Sequence, residues 1–255
     1  MNVPESLVYT IDIGNTRIHC GIVDYTTATC LHKEFFPAHD VEKLLFNVIS
    51  NLEKSSDISY RAPIIVAGGT LSSFLSIESQ LFERGYKCRR FKYTTEMPFT
   101  IQYKTTPGAD RVAHALYATV LNPGHNHIII SAGTAVTVDL IVNNQFLGGT
   151  IFPGVSTQLK SLPAAAPVLP DVLPVGSVPL PGDSTETCIR SGVLFGIGGG
   201  IQNIISRYLS LFPDCMIIAT GGDWLYLSKI IDTDIRFDEN LTLTGIALSE
   251  RFCNQ

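Results

Sequence analysis

The sequence has no excess of basic residues, and this shortage limits the classes of molecule that it can bind. Its 255 residues include 18 Lys and Arg against 23 Asp and Glu, so the formal net charge is −5. A chain without a basic field has little attraction for the phosphate backbone of nucleic acids. We therefore expect no DNA or RNA partner. An anionic small molecule would have to be held locally, by backbone N–H groups, a metal or a few arginines.

The sequence also lacks the hydrophobic segments that direct a chain to a membrane. Residues 1–6 have neither the basic start nor the apolar core of a signal peptide, and no apolar run approaches the length that spans a bilayer. The six cysteines are scattered without a Cys-x-x-Cys pair, which favours reduced thiols over a zinc site. We expect a cytoplasmic protein with no membrane partner.

What the sequence does contain is a strand that ends in a candidate phosphate-binding turn. A β-branched run over residues 8–13 leads into Gly14, Asn15 and Thr16. Gly14 would permit a positive φ and the close approach of a phosphate to backbone N–H groups. Asp12 would supply the carboxylate oxygen that Mg²⁺ prefers, while Asn15 and Thr16 would hydrogen-bond phosphate oxygens. The alternative for this motif alone is an ordinary tight hairpin.

A second motif of the same design follows about 120 residues later. An isoleucine-rich run over residues 127–132 leads into Gly133 and Thr134. A further β-rich segment follows each turn, at residues 17–23 and 135–142, so both motifs predict hairpins. Two such hairpins facing each other would form a cleft, and this duplicated arrangement is typical of the actin, sugar-kinase and Hsp70 superfamily of phosphotransferases.

The remaining pattern predicts an α/β protein of two domains. Alternating strands and helices in the first half indicate a mixed, largely parallel sheet. Helices are predicted at residues 41–54, 71–84 and 110–120. We place the domain boundary within the third of these helices, which gives domains at residues 1–115 and 116–255. Each is expected to be a ribonuclease H-like, mixed five-stranded sheet flanked by helices, with the cleft between them.

In the second half, a proline-rich segment and a helix-capping pattern indicate where regular secondary structure ends and begins. Residues 163–181 are rich in proline and predict an irregular surface segment. Residues 183–186 resemble a capping box before a helix that starts near Thr185. A separate long helix is predicted from about residue 200 to residue 211, followed by a strand at residues 216–219 that ends in a Gly-Gly-Asp turn.

Four motifs occur in the order found in type III pantothenate kinases, and the chain closely resembles that family. The motifs are Asp12 to Thr16, Gly108 to Arg111, Gly133 to Asp139, and Gly149 to Gly154. The resemblance covers nearly the whole chain. It implies transfer of the γ-phosphoryl group of ATP to the terminal hydroxyl of pantothenate, which is the first step toward coenzyme A. It also implies a homodimer that uses Mg²⁺ and a monovalent cation, K⁺ or NH₄⁺.

The resemblance assigns roles to individual residues. Asp110 would be the base that accepts the proton of the hydroxyl, although a helix N-cap is the alternative. Arg111 would pair with the carboxylate of pantothenate, and its alternative is a solvated helix charge. Thr185 would reach the site of the partner subunit, against the commoner use of such a residue as a helix cap. Further pantothenate contacts would be Gly108, Ala109 and Tyr103, and nucleotide contacts would be Asp12, Gly14, Asn15, Thr16, Gly133 and Thr134.

The chain departs from the family pattern in two places. Ser131 stands two residues before the second Gly-Thr pair, where the family usually has an aspartate, and a hydroxyl lacks the charge that a carboxylate offers a cation. The segment from Tyr103 to Asp110 is also shorter than usual. Two alternatives follow: a weakened paralogue with a regulatory or accessory role, or another small-molecule kinase or phosphatase of the superfamily. The retained Asp12, Asp110 and Arg111 favour an active kinase.

Overall fold

The computed structural model describes residues 6–38, 49–50 and 62–253. The chain divides into two compact units, Met1–Pro123 with Asn240–Gln255, and Gly124–Glu239. The helix predicted at residues 41–54 lies outside the described residues, apart from two helical residues at 49–50. Across the described ranges, no helix combines the length and the apolar character that a membrane span requires.

Strands and helices alternate along the chain, as the sequence predicts. The strands are β1 (Leu7–Ile13), β2 (Arg17–Asp24), β3 (Thr29–Pro37), β4 (Ile64–Gly68), β5 (Cys88–Arg90), β6 (Thr100–Ile101), β7 (Asn126–Ala132), β8 (Ala135–Val142), β9 (Gln145–Pro153), β10 (Cys215–Thr220) and β11 (Arg236–Phe237). The helices of the described residues are α1 (Leu71–Glu83), α2 (Ala109–Leu121), α3 (Val155–Ala165), α4 (Thr185–Leu211), α5 (Trp224–Leu227) and α6 (Leu241–Leu248).

The first unit contains a mixed five-stranded sheet in the order β3-β2-β1-β4-β5. Strands β1, β2 and β3 are antiparallel neighbours, whereas β4 is parallel to both β1 and β5. Tyr9 and Ile11 belong to the hydrophobic core on one face of this sheet. Since side chains alternate along a strand, Thr10 and Asp12 point to the opposite face.

Helix α6 covers the face of the first sheet that carries Thr10 and Asp12. Its Leu243 lies against Gly21 of β2, where an added Cβ would be 3.0 Å from the Leu243 Cδ1 atom. Gly21 is the antiparallel partner of Thr10, so both residues belong to the same face. Helix α2 packs against α6 in turn. The sheet, α6 and α2 therefore build the support for the residues at the end of β1.

The second unit repeats the design of the first. Its strand order is β11-β10-β7-β8-β9, with β10 parallel to β7 and β11, and with β7, β8 and β9 antiparallel. Ile128 and Ile130 of β7 and Val136 and Val138 of β8 pack in one core with residues of α4. Ser131 and Thr137 alternate to the other face of this sheet.

Helix α4 is one continuous helix of 27 residues, so the prediction of a separate helix from residue 200 is wrong. Buried residues at helical spacing, such as Ile189, Val193, Ile197 and Ile201, hold it against the core through the glycine-rich stretch. Its capping box is formed by Ser184 and Thr187 rather than by residues 183–186. The Thr187 N–H donates to the Ser184 Oγ over 3.3 Å, and the Ser184 N–H donates to the Thr187 Oγ1 over 2.9 Å.

The proline-rich segment is irregular from residue 166 onward, whereas Pro163 to Ala165 form the end of α3. Side chains of α4 fix part of the irregular stretch. Arg190 donates from Nε to the Leu173 carbonyl over 2.9 Å and from Nη1 to the Ser177 carbonyl over 3.0 Å. Ser191 donates to the Pro179 carbonyl over 2.6 Å. These bonds attach the segment, which precedes Thr185 in the sequence, to the first turns of α4.

Candidate active site

The first candidate phosphate turn joins β1 to β2. The Gly14 N–H donates to the Arg17 carbonyl over 3.1 Å and closes a turn that contains Asn15 and Thr16. An added Cβ at Gly14 would lie 2.8 Å from that carbonyl oxygen, so only glycine fits without a shift. The φ of Gly14 is not positive, and the prediction of a positive φ is wrong. The close approach of two backbone segments is what requires glycine here.

Asp12 lies one residue before the end of β1, close to Asp110. Burial raises the pKa of Asp12 from 3.8 to about 7, and the negative charge of Asp110 contributes to this rise in the same direction. Two carboxylates thus share a region in which water screens their charges poorly. Such a pair favours a bound cation, because the cation relieves both the burial and the repulsion of the charges.

Asp110 is held in the first turn of α2, and it is not the N-cap. The helix begins at Ala109, Gly108 occupies the N-cap position, and no side chain caps the helix. The alternative of Asp110 as a simple cap is therefore wrong. An added Cβ at Gly108 would be 2.5 Å from the Asp110 Oδ1 atom, so the missing side chain leaves room for the carboxylate.

Arg111 and Tyr103 lie together beside Asp110. The Cζ atom of Arg111 is 5.2 Å from the centroid of the Tyr103 ring, within the range of a cation–π contact. Arg111 is buried in the same turn of α2. The segment from Tyr103 to Asp110 therefore brings the tyrosine ring to the arginine.

Helix α6 fixes the position of α2. The His114 Nε2 and Thr242 Oγ1 atoms are 2.9 Å apart, one helical turn below Asp110. An added Cβ at Gly245 would overlap the carbonyl of Ala113, so the two helices meet at backbone contact. Helix α6 therefore fixes the position of α2, and with it the position of Asp110 relative to the first sheet.

The second candidate turn, between β7 and β8, is one residue shorter than the first. The Gly133 N–H donates to the Ala135 carbonyl over 3.1 Å. The Thr134 carbonyl accepts from the Gly154 N–H over 3.0 Å and from the Thr157 Oγ1 over 2.7 Å. An added Cβ at Gly154 would overlap the Gly133 carbonyl oxygen, so this glycine is required by the contact.

The loop after β10 completes this part of the second unit, and it contains a residue that we did not assign from the sequence. The Asp223 N–H donates to the Ala132 carbonyl over 3.0 Å, and the Asp223 Oδ2 accepts from the Val155 N–H over 3.2 Å. Asp223 thereby links the second turn to the first residue of α3. The available signal was a carboxylate after Gly221 and Gly222, directly past the end of a predicted strand.

Ser131 lies in a row of hydroxyl groups. Its neighbours in the adjacent strands are Thr220 on β10 and Thr137 on β8. The Thr137 hydroxyl is buried and finds no hydrogen-bond partner among the described residues. Among all the residues that the structure describes, no three His, Cys, Asp or Glu side chains come together as metal ligands. The row therefore offers neutral oxygens where Asp12 offers a charge.

Thr185 is the first residue of α4 and is exposed. The Ser184 side chain caps the helix, so the alternative of Thr185 as the cap is wrong. The Thr185 hydroxyl is thus not needed for the local structure.

Comparison with known proteins decides the family. A family model described as Type III pantothenate kinase matches residues 8–207. The chain belongs to this family. A Type III pantothenate kinase from Christiangramia forsetii is 35% identical over 242 residues, which cover 92% of this chain and 94% of the relative. Another, from Flavobacterium johnsoniae, is 31% identical over 254 residues, which cover 96% and 98%. Members of a kinase family are phosphotransferases, and the predicted enzyme class is confirmed.

Solved structures of lower identity show the same fold. A ROK family glucokinase from Streptomyces griseus, in complex with glucose and AMPPNP, has a TM-score of 0.54 at 14% identity, with 94% of this chain and 98% of that chain covered. The inorganic polyphosphate/ATP-glucomannokinase from an Arthrobacter species has a TM-score of 0.53 at 16% identity, with coverages of 96% and 98%. These neighbours confirm the predicted α/β fold of the actin and ribonuclease H type.

Proposed function

We propose that this chain transfers the γ-phosphoryl group of ATP to pantothenate and forms 4'-phosphopantothenate, the first step of coenzyme A biosynthesis. Membership of the type III pantothenate kinase family supports ATP and pantothenate as the substrates. The observation that carries the proposal is the carboxylate pair of Asp12 and Asp110, which lies in the same unit as the Gly14 turn and the stacked Arg111.

Each residue of this pair has its own chemical task. Asp110 accepts the proton of the pantothenate hydroxyl as that oxygen attacks the phosphorus atom. Asp12 holds Mg²⁺, which proteins usually bind through one or two carboxylates together with substrate phosphates, so the pair fits this ion. When bound, Mg²⁺ neutralises charge on the phosphates of ATP.

Each unit supplies donors that suit the substrates. Arg111, oriented by the Tyr103 ring, pairs with the carboxylate of pantothenate through its planar guanidinium group. The Gly14 and Gly133 N–H groups close their turns, and the N–H groups of Asn15, Thr16 and Thr134 would donate to the phosphates of ATP.

The row at Ser131 does not fit a strongly bound monovalent cation. Ser131, Thr137 and Thr220 supply hydroxyl dipoles without a formal charge. We therefore propose that turnover needs neither K⁺ nor NH₄⁺, and no step of the reaction depends on such an ion.

We further propose a homodimer in which Thr185 of one subunit approaches the substrate of the other. Helix α4 presents exposed glycines, Gly192, Gly196 and Gly199, and an added Cβ there would have no heavy atom within 4 Å among the described residues, apart from chain neighbours and the adjacent helix backbone. Beside it, the attached proline-rich segment exposes Leu173 and Leu180. A bare helix face next to exposed leucines suits close packing by a second copy. Light scattering that gives the mass of a monomer at working concentration would contradict this.

A direct assay tests the proposed reaction. Purified protein is incubated with Mg-ATP and pantothenate, or with a panel of related hydroxy acids, and the phosphorylated product is identified by mass spectrometry. We expect turnover with pantothenate. Folded protein that binds ATP and phosphorylates nothing would favour the accessory paralogue, whereas turnover only with another hydroxy acid would identify a different kinase.

A further inference from the structure

An exposed aromatic ring lies on the edge strand β3, on the same face of the first sheet as Asp12. Phe35 is 62% exposed, so its ring can pack against a side chain that extends from the neighbouring strand. In the sheet register, Phe35 lies opposite His19 of β2, and His19 lies opposite Asp12 of β1. Residues directly opposite each other share a face. A carboxylate, an imidazole and a phenyl ring therefore form one row across three strands.

Arg17 lies beside this row at the end of the first turn. Its Cζ atom is 5.0 Å from the centroid of the Phe35 ring, and the rings of His19 and Phe35 are 6.0 Å apart. The carbonyl of Arg17 is the group that closes the turn by accepting from Gly14. The backbone thus fixes one end of Arg17, and the ring fixes its guanidinium group.

The charge of Arg17 is available to a ligand. The residue is exposed, and it forms no ion pair with any other described residue. Phosphates that enter the turn approach the carboxylates of Asp12 and Asp110, which repel them. The positive charge of Arg17, on the same face and next to the turn, offsets part of that repulsion, so that Mg²⁺ does not have to offset all of it.

We propose that Arg17 is a phosphate-binding residue of this kinase and that Phe35 positions it. The guanidinium group, held over the ring, donates to oxygens of the phosphate chain of ATP at the first turn. Its planar shape allows two parallel hydrogen bonds to a phosphate, and stacking reduces the number of conformations lost on binding. This inference rests on the proposed function, because it requires a nucleotide at this turn.

Calorimetric titration of the purified full chain with Mg-ATP and with adenosine, in the absence of pantothenate, tests the proposal. Arg17→Met removes the charge and keeps the length of the side chain. We expect the Kd for ATP to rise about tenfold or more and the Kd for adenosine to stay unchanged. Phe35→Leu should raise only the Kd for ATP, by a smaller factor. Arg84→Met removes an exposed arginine after α1 and is the matched control, with no expected change.

Two results would overturn the proposal: a Kd for ATP within twofold of wild type in Arg17→Met, or an equal loss of affinity for ATP and adenosine. If circular dichroism shows that Arg17→Met is unfolded, Arg17→Lys decides in its place, since it retains the charge and loses the planar group. Its Kd for ATP should rise by about threefold, and an unchanged value would contradict us. Because pantothenate is absent, a failure to phosphorylate it leaves this comparison valid. Absence of ATP binding by the wild type would overturn both proposals.

Discussion

Replacement of Asp12 by Asn should stabilise the metal-free protein by an amount that grows as pH rises from about 4 to about 7 and is constant above pH 7. Burial and Asp110 raise the pKa of Asp12 from 3.8 to about 7 in the folded protein. Below pH 4 the carboxyl group is protonated in both states and has no effect. As pH rises to 7, the unfolded chain loses this proton and the folded chain keeps it, so the free energy of unfolding falls. Above pH 7 the free energy of unfolding has fallen by the full amount and changes no further through this group.

The size of the effect follows from the pKa. The rise from 3.8 to about 7 corresponds to about 4 kcal/mol, at about 1.4 kcal/mol for each pKa unit. Part of the Asp12 side chain reaches solvent, so screening reduces this value, and we expect about 1–3 kcal/mol. The amide in the Asp12→Asn variant carries no charge at any pH. The stability advantage of this variant over wild type should therefore grow by that amount between pH 4 and pH 8.

Urea unfolding in EDTA at pH 4, 6 and 8 measures this difference. Asp214→Asn is the matched control, because Asp214 is exposed in the turn after α4. Addition of Mg²⁺ and ATP at pH 8 should stabilise wild type more than Asp12→Asn, since the ion relieves the burial of the charge. A stability difference that is constant with pH, or that shrinks as pH rises, would refute the reasoning about the carboxylate pair.

Three further predictions concern the second unit. Ser131→Asp should create or strengthen activation by K⁺, measured as turnover in K⁺ against a bulky organic cation, and strong K⁺ activation of wild type would show that a cation is held elsewhere. Gly154→Ala should lower the free energy of unfolding by about 1–3 kcal/mol, because the new Cβ overlaps the Gly133 carbonyl; Gly222→Ala, in open space outside the helices, is the control, and equal stabilities would contradict the contact. Thr185→Val should raise the KM for pantothenate and preserve the fold, and an unchanged KM would exclude its contact with substrate.

The strands and their turns were predictable from the sequence because their signals are local. Strand β8 has the bounds that the pattern predicts, and β2 and α1 each differ by one residue at their ends. Alternating β-branched residues, and glycines at strand ends, act within a few residues of chain. The placement of Asp110 inside the first turn, rather than at the cap, also depends on one neighbouring glycine.

The contacts between distant segments were not predictable. The close approach at Gly154 depends on a turn 20 residues earlier, and the bonds of Asp223 connect three segments of the second unit. The continuity of α4 depends on the core that it packs against, which overrides the low helix propensity of its glycines. The stacking of Arg17 on Phe35 depends on strand register. Such features follow from tertiary packing, for which a single sequence has no local signal.

The most direct test of the central claim is the turnover of Asp110→Asn with Mg-ATP and pantothenate, beside wild type and the exposed control Asp214→Asn. The amide keeps the shape of the carboxylate but cannot accept a proton. We predict that kcat falls by a factor on the order of 10² to 10⁴, with ATP affinity and thermal stability retained. Turnover near that of wild type, from a folded variant, would show that Asp110 is not the base and would contradict the account.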